Sequence, residues 1–259
     1  MSSPHTLVTK QLVLSDDGMS SVEVATDVPY DGDTTCDIYR PAQRSGLLPV
    51  VILVSGYPDA QVTAMLGARP RDIGLATSWG RLVAASGLIA IVYACPEPTH
   101  ALESLLTFVQ TQGEAHGIDK HRVALWASSG NGPTAVGAIA TGGIGAAVLL
   151  NSYLIDLDGP GDIAKGSRLF GYTNGGAGVK LAALAQTPMM LVRSGRDATP
   201  GLNLNLDRYI TAALSANHPI TVINHPNAPH AFELFDPTDA SRNILRRALT
   251  FLTTELSGQ

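Results

Sequence analysis

Six short runs in this chain are almost wholly apolar: Val50–Val54, Leu88–Tyr93, Val123–Trp126, Ala146–Leu150, Met189–Val192 and Ile220–Ile223. Runs this short lack the length of a buried helix, and they lack the polar alternation of a half-exposed strand. They read as strands covered on both faces. Between them the apolar period changes to 3.6, with Leu102, Leu105, Leu106 and Val109 on one helix face and Leu245, Ala248, Leu249 and Leu252 on another. Strands that alternate with helices in this way predict βαβ units, hence an α/β fold with a mainly parallel central sheet and helices on both faces. Upstream, Leu12–Leu14 and Thr34–Tyr39, with the turn signal Asp31-Gly32-Asp33 between them, predict a more polar antiparallel entry into the sheet.

A chain of 259 residues can be one such domain, so the expected organisation is a single unit over 1–259. Two segments do not follow the strand-helix rhythm, about 58–79 and 155–179, and both are expected to be lid-like. The second carries seven glycines and three aspartates and is expected to be an irregular, lid-like excursion over the strand ends. The net charge is −5, and the longest basic cluster is Arg246-Arg247, too little to track a phosphate backbone. Nucleic acid is therefore excluded as a partner. No apolar run reaches the roughly 18 residues of a membrane span. Met1–Lys10 lacks the features of a signal peptide, and Cys36 and Cys95 fit neither a metal spacing nor a disulfide framework. A soluble cytoplasmic protein without a membrane partner is expected; none of these features encodes oligomeric state.

Chemistry is written most densely in Val123-Ala124-Leu125-Trp126-Ala127-Ser128-Ser129-Gly130-Asn131-Gly132, an apolar strand running through small residues into a helix with Pro133 in its first turn. This is the layout of a nucleophile elbow, where a serine sits on a strained strand-to-helix turn and the residues two before and two after must be small. Ser129 has Ala127 before it and Asn131 after it. Ser128 is the alternative register, with Gly130 fitting after it but bulky Trp126 before it. A plain helix-capping loop is the other reading of the same residues.

Here the sequence resembles the α/β-hydrolase family, and within it the dienelactone-hydrolase-like esterases, from about Pro49 to the C-terminal helix. The resemblance places the nucleophile on Ser129. It departs from the family at Asn131, where glycine is usual, although asparagine tolerates unusual backbone angles well. Arg193-Ser194-Gly195-Arg196-Asp197 looks like the loop carrying the triad acid, which implies Asp197. His225-Pro226-Asn227-Ala228-Pro229-His230 looks like the loop of the triad base, which implies His230; His225 is the rival. The order Ser, Asp, His is the one this fold uses. Ser55-Gly56-Tyr57-Pro58 resembles the family's His-Gly-x-Pro turn with serine in place of histidine, so the amides of Tyr57 and Gly130 are the expected oxyanion donors.

What the resemblance implies is a serine hydrolase of carboxylesterase type with no cofactor; the apolar residues from Tyr57 to Trp79 and the lack of a separate cap domain predict small to medium uncharged esters. A thioesterase or acyltransferase would use the same triad, and a non-catalytic ligand receptor is the alternative from another class. Tyr57, Met65, Leu66 and Trp79 are expected to line the substrate pocket. No metal site is expected: His100-x-x-Glu103 lacks a third ligand, and Asp156, Asp158 and Asp162 lack the glutamate of a calcium loop.

Overall fold

The computed structural model describes residues 8–42, 45–157 and 161–258. Eight strands form one sheet: β1 (Glu23–Asp31), β2 (Thr34–Arg40), β3 (Leu48–Leu53), β4 (Ile89–Tyr93), β5 (Ile118–Ser128), β6 (Ala146–Leu150), β7 (Met189–Ser194) and β8 (Ile220–His225). Their spatial order is β1-β2-β4-β3-β5-β6-β7-β8. The strands from β4 through β8 pair in parallel, while β1 and β2 enter antiparallel. All six apolar runs fall on strands.

The absence of polar alternation in those runs has a direct structural cause. Alternate residues of one strand feed two separate cores. Val50 and Ile52, Val123 and Leu125, and Ala147 and Leu149 face one side, where they meet helices α3 (Pro98–Gln112), α4 (Gly132–Thr141) and α6 (Leu202–Ser215). Val51, Ala124 and Trp126, and Val148 and Leu150 face the other side, where α2 (Gly74–Ala85) and α8 (Asp239–Ser257) cover them. Other α-helices among the described residues are α1 (Asp59–Leu66), α5 (Asp162–Phe170) and the single turn α7 (Phe232–Phe235), with short 3-10 turns such as Ser129–Asn131 between elements.

Two expectations are corrected. Leu12–Leu14 is not a strand; Leu12 and Leu14 are apolar because they pack into the core under α2 and α8. The strand before the Asp31-Gly32-Asp33 turn is β1, whose bulged, mostly exposed course hides its pattern in the sequence. The segment 155–179 is not simply irregular, since it contains α5, and Ile163 and Tyr172 pack with Tyr153 and Leu202. Among the described residues no helix is long and apolar enough to cross a membrane.

The strand order reverses at β3 and β5: from β3 the chain goes to β4 on one side, and from β5 onward it proceeds on the other. In open parallel sheets such a reversal opens a crevice outside the carboxyl ends of the two strands. The loops that follow β3 and β5 are Ser55-Gly56-Tyr57-Pro58 and Ser129-Gly130-Asn131.

Candidate active site

Ser129 directly follows β5 and has φ +57°, a left-handed conformation that non-glycine residues adopt at a cost of about 1–3 kcal/mol. The turn is held from two sides, by the Ser129 N–H donating to Asn151 O at 3.2 Å and the Tyr153 N–H donating to Ser129 O at 3.2 Å. Helix α4 starts three residues later with Pro133 in its first turn. The small residues have steric reasons. A Cβ on Gly130 would overlap the Tyr57 hydroxyl and the Tyr172 ring, and one on Gly132 would overlap the Tyr153 carbonyl.

Asn131 departs from the expectation in an informative way. Its backbone is ordinary right-handed helix, φ −78° and ψ −20°, so its tolerance of unusual angles is not used. The unusual angle belongs to Ser129. The Asn131 side chain instead accepts a hydrogen bond from the Gly56 N–H at 2.7 Å, tying the loop after β3 to the loop after β5. Gly56 permits this approach, since a Cβ there would lie 2.6 Å from Gly130 O and 2.8 Å from Asn131 Cα. Ser55, standing where the resembled turn has histidine, donates from Oγ to Tyr57 O at 3.1 Å and braces the turn. Gly130 is second in the one-turn helix Ser129–Asn131, where an N–H has no carbonyl within the helix to bond.

Asp197 and His230 lie on the loops after β7 and β8. The loops are tied by Gly195 N–H to His225 O at 2.8 Å and Arg196 N–H to Ala228 O at 2.9 Å, and Gly195 lies against the Pro226 backbone where a Cβ would not fit. As a result Asp197 Oδ2 and His230 Nδ1 are 2.6 Å apart, with the carboxylate fully buried and the imidazole 34% exposed. The Thr199 N–H donates to Asp197 Oδ1 at 2.8 Å. Burial pushes the Asp197 carboxyl up, but hydrogen bonds from His230 and Thr199 outweigh it and hold the group below its ordinary range. Burial likewise pushes His230 down, and the Asp197 hydrogen bond and charge outweigh that, so the imidazole holds its proton to higher pH than usual.

His225 is occupied elsewhere. It is 6% exposed, with Nε2 at 3.0 Å from Ser241 Oγ and 3.2 Å from Asp236 Oδ2. Next to Ser129 stands the Tyr57 hydroxyl; burial raises the phenol, and its polar contact with Ser129 works against that rise. The ring partner of His230 is Asp197, and a Ser129–His230 hydrogen bond is not formed in this arrangement. Bonds of that kind commonly close only when substrate binds.

The four residues expected to line a pocket are not brought together. Tyr57 is beside Ser129, with its ring edge-on to Tyr172 at 6.0 Å. Met65 is 66% exposed on α1, and Leu66 is half-buried there. Trp79 is a core residue, 5% exposed and packed on Trp126 at 4.3 Å, because the apolar face of α2 needs cover from the sheet. It borders a cavity of about 130 Å³ together with Trp126, Ser128 and Asn131. The aromatic residues the sequence reading missed are Tyr153 and Tyr172, buried with ring centroids 5.5 Å apart in a small core behind Tyr57. An aromatic residue set among glycines and polar residues, as in Gly171-Tyr172-Thr173-Asn174-Gly175, was the signal available. Asp156 caps the start of α5, accepting from Gly161 N–H at 3.0 Å and Ile163 N–H at 3.2 Å, and Asp162 lies 3.8 Å from Arg208. Asp158 lies outside the described residues.

No family model matches this sequence, and no curated protein is significantly similar to it. Solved structures are similar to it in shape. A bacterial heroin esterase is 18% identical, with 94% of this chain and 86% of that one covered at a TM-score of 0.65. Brefeldin A esterase, a bacterial homologue of human hormone-sensitive lipase, is 14% identical with 98% and 83% covered and a TM-score of 0.70. A Klebsiella pneumoniae protein described as a dienelactone hydrolase is 16% identical with 90% and 98% covered and a TM-score of 0.62. At these identities the likeness is one of fold, and together with the eight-stranded, mainly parallel sheet covered on both faces it establishes that the chain has the α/β-hydrolase fold.

Proposed function

We propose that this chain is a serine hydrolase that cleaves small to medium uncharged esters through an acyl-enzyme. The observation that carries this reading is the combination of Ser129, in a left-handed turn at the end of β5, with an Asp197–His230 pair at 2.6 Å on the loops after β7 and β8. In this reading His230 Nε2 takes the Ser129 proton as Oγ attacks the ester carbonyl, then returns it to the leaving alcohol. The tetrahedral oxyanion is met by the N–H groups of Tyr57 and Gly130. Water, activated by the same imidazole, attacks the acyl-enzyme and restores Ser129. Asp197 fixes the tautomer by accepting from Nδ1–H and stabilises the imidazolium as it forms. The uncharged-ester preference is supported by Tyr57, whose aromatic ring stands beside Ser129 and packs edge-on against the buried Tyr172.

A fluorophosphonate probe with a panel of p-nitrophenyl esters tests the reading. Stoichiometric labelling and turnover that peaks at or below about eight acyl carbons are expected, as a short apolar pocket requires. An unlabelled, inactive protein would return the receptor reading, and a strong preference for thioesters would return the thioesterase reading.

The tether between the two loops gives a second expectation. Asn131→Gly restores the residue usual for an elbow yet removes the Gly56 hydrogen bond, and kcat/KM should fall by about ten- to a hundredfold with an unchanged circular dichroism spectrum, the scale of loss seen for small misplacements of catalytic groups. Wild-type kcat/KM in that variant would show that the Gly56–Asn131 bond does not position the oxyanion donors.

A further inference from the structure

Glu233 is 2% exposed, and its Oε2 has no hydrogen-bond partner among the described residues. Carboxyl groups are rarely buried without partners, because a buried unpaired charge is disfavoured. The position is fixed by the backbone. The single turn α7 begins two residues past His230, with Ala231 at φ +52°, and the Val13 N–H donates to Glu233 O at 2.9 Å. Glu233 is thus held three residues past His230, buried in the turn that follows the loop presenting the imidazole.

The charged groups of the surrounding elements leave the His230–Asp197 pair as the field Glu233 acts on. From the N-terminal segment, Lys10 lies over the Phe235 ring, 5.8 Å from its centroid. From α8, Arg242 donates to Val13 O at 3.0 Å and to Asp239 at 3.1 Å. His225, at the end of β8, is engaged with Asp236 and Ser241. The Glu233 backbone N–H and then His230 favour the ionised form of Glu233 and Asp197 opposes it, and in return the Glu233 charge favours protonated His230.

We propose that Glu233 is a positioning residue for the hydrolysis proposed above, a buried carboxyl whose charge, when present, stabilises the His230 imidazolium that forms as Ser129 gives up its proton. This role rests on the serine-hydrolase reading. Burial raises the Glu233 carboxyl to about 7, so it ionises in the range where an imidazole does. Two interacting groups that titrate together do so as a pair. The sign follows. Below that range Glu233 is neutral and lends the imidazolium nothing, and His230 is itself protonated and cannot act as base. Activity therefore falls with acidification through two protonations, more steeply than one group alone would give.

Glu233→Gln keeps the shape and removes the charge. The His230 ring signal followed by NMR, which needs no turnover, should titrate roughly one pH unit lower in the variant than in the wild type. The acid limb of kcat/KM for p-nitrophenyl acetate should move the same way and relax to a single-proton slope. An unchanged His230 midpoint and an unchanged limb would overturn the proposal. If the variant does not fold, the ¹³C carboxyl signal of Glu233 in the wild type decides: a midpoint near 7 supports the role, and one near the ordinary value of about 4.3 overturns it. A wild-type protein that shows the coupled NMR titration but hydrolyses no ester would overturn the hydrolase reading and leave the Glu233–His230 coupling standing.

Discussion

Ser129→Ala should abolish fluorophosphonate labelling and lower ester turnover by about 10⁴-fold or more, while the protein stays folded. The argument rests on the turn rather than on residue type. The conformation at position 129 is carried by backbone bonds to Asn151 and Tyr153 and by the glycines at 130 and 132, none of which involves the serine side chain. Alanine can occupy the same turn at a similar backbone cost, so thermal unfolding should move little while the nucleophile is gone. Ser128 supplies the control. It is the last residue of β5 in extended conformation, φ −136° and ψ 151°, and it lines the cavity beside Trp79. Ser128→Ala should keep at least roughly a tenth of wild-type kcat/KM, short of the loss expected for a triad member. The reverse pattern, with the Ser128 variant unlabelled and the Ser129 variant active, would shift the register by one residue.

Asp197→Asn should lower kcat by about 10⁴-fold, with His230→Ala losing at least as much. The asparagine is nearly isosteric and can still accept from the Thr199 N–H. What it loses is the charge that holds His230 above the usual imidazole range and the acceptor that keeps the proton on Nδ1. An amide can donate to Nδ1 instead, which leaves Nε2 protonated and unable to take the serine proton. His225→Ala separates the two histidines. That ring pairs with Ser241 and Asp236, so the change should lower the unfolding temperature while the folded fraction keeps its turnover. Full activity in His230→Ala together with loss in His225→Ala would move the base to the other histidine. Stopped-flow hydrolysis of p-nitrophenyl acetate at a pH above the acid limb is the measurement.

The central sheet was legible because its strands are apolar on both faces, a pattern that leaves few alternatives. The edge was not. β1 is bulged and mostly exposed, and Leu12 and Leu14 carry apolar side chains without being a strand, since apolarity records burial and not backbone conformation. The same limit explains Trp79. An apolar residue in the segment after the Ser55-Gly56-Tyr57-Pro58 turn reads equally as pocket wall or as the buried face of a helix, and packing against Trp126 made it the latter. The Ser129 turn was legible from its run of small residues. The Asn131–Gly56 bond was not, because the positions are 75 residues apart and nothing local marks an asparagine as a tether. Glu233 is the least legible of all, since a lone glutamate in a single apolar turn, Phe232–Phe235, normally faces water.

The division of each central strand between two cores has a consequence for how such a chain can change over time. The sheet acts as a partition: repacking under α3, α4 and α6 leaves the side chains under α2 and α8 undisturbed, and strand register is held by whichever side is not being altered. Cores accept volume-conserving exchanges readily when the pattern is kept. A lineage carrying this fold can therefore renew one compartment at a time, remaining folded at every step while its residues drift beyond recognition and the loops at the strand ends stay in place.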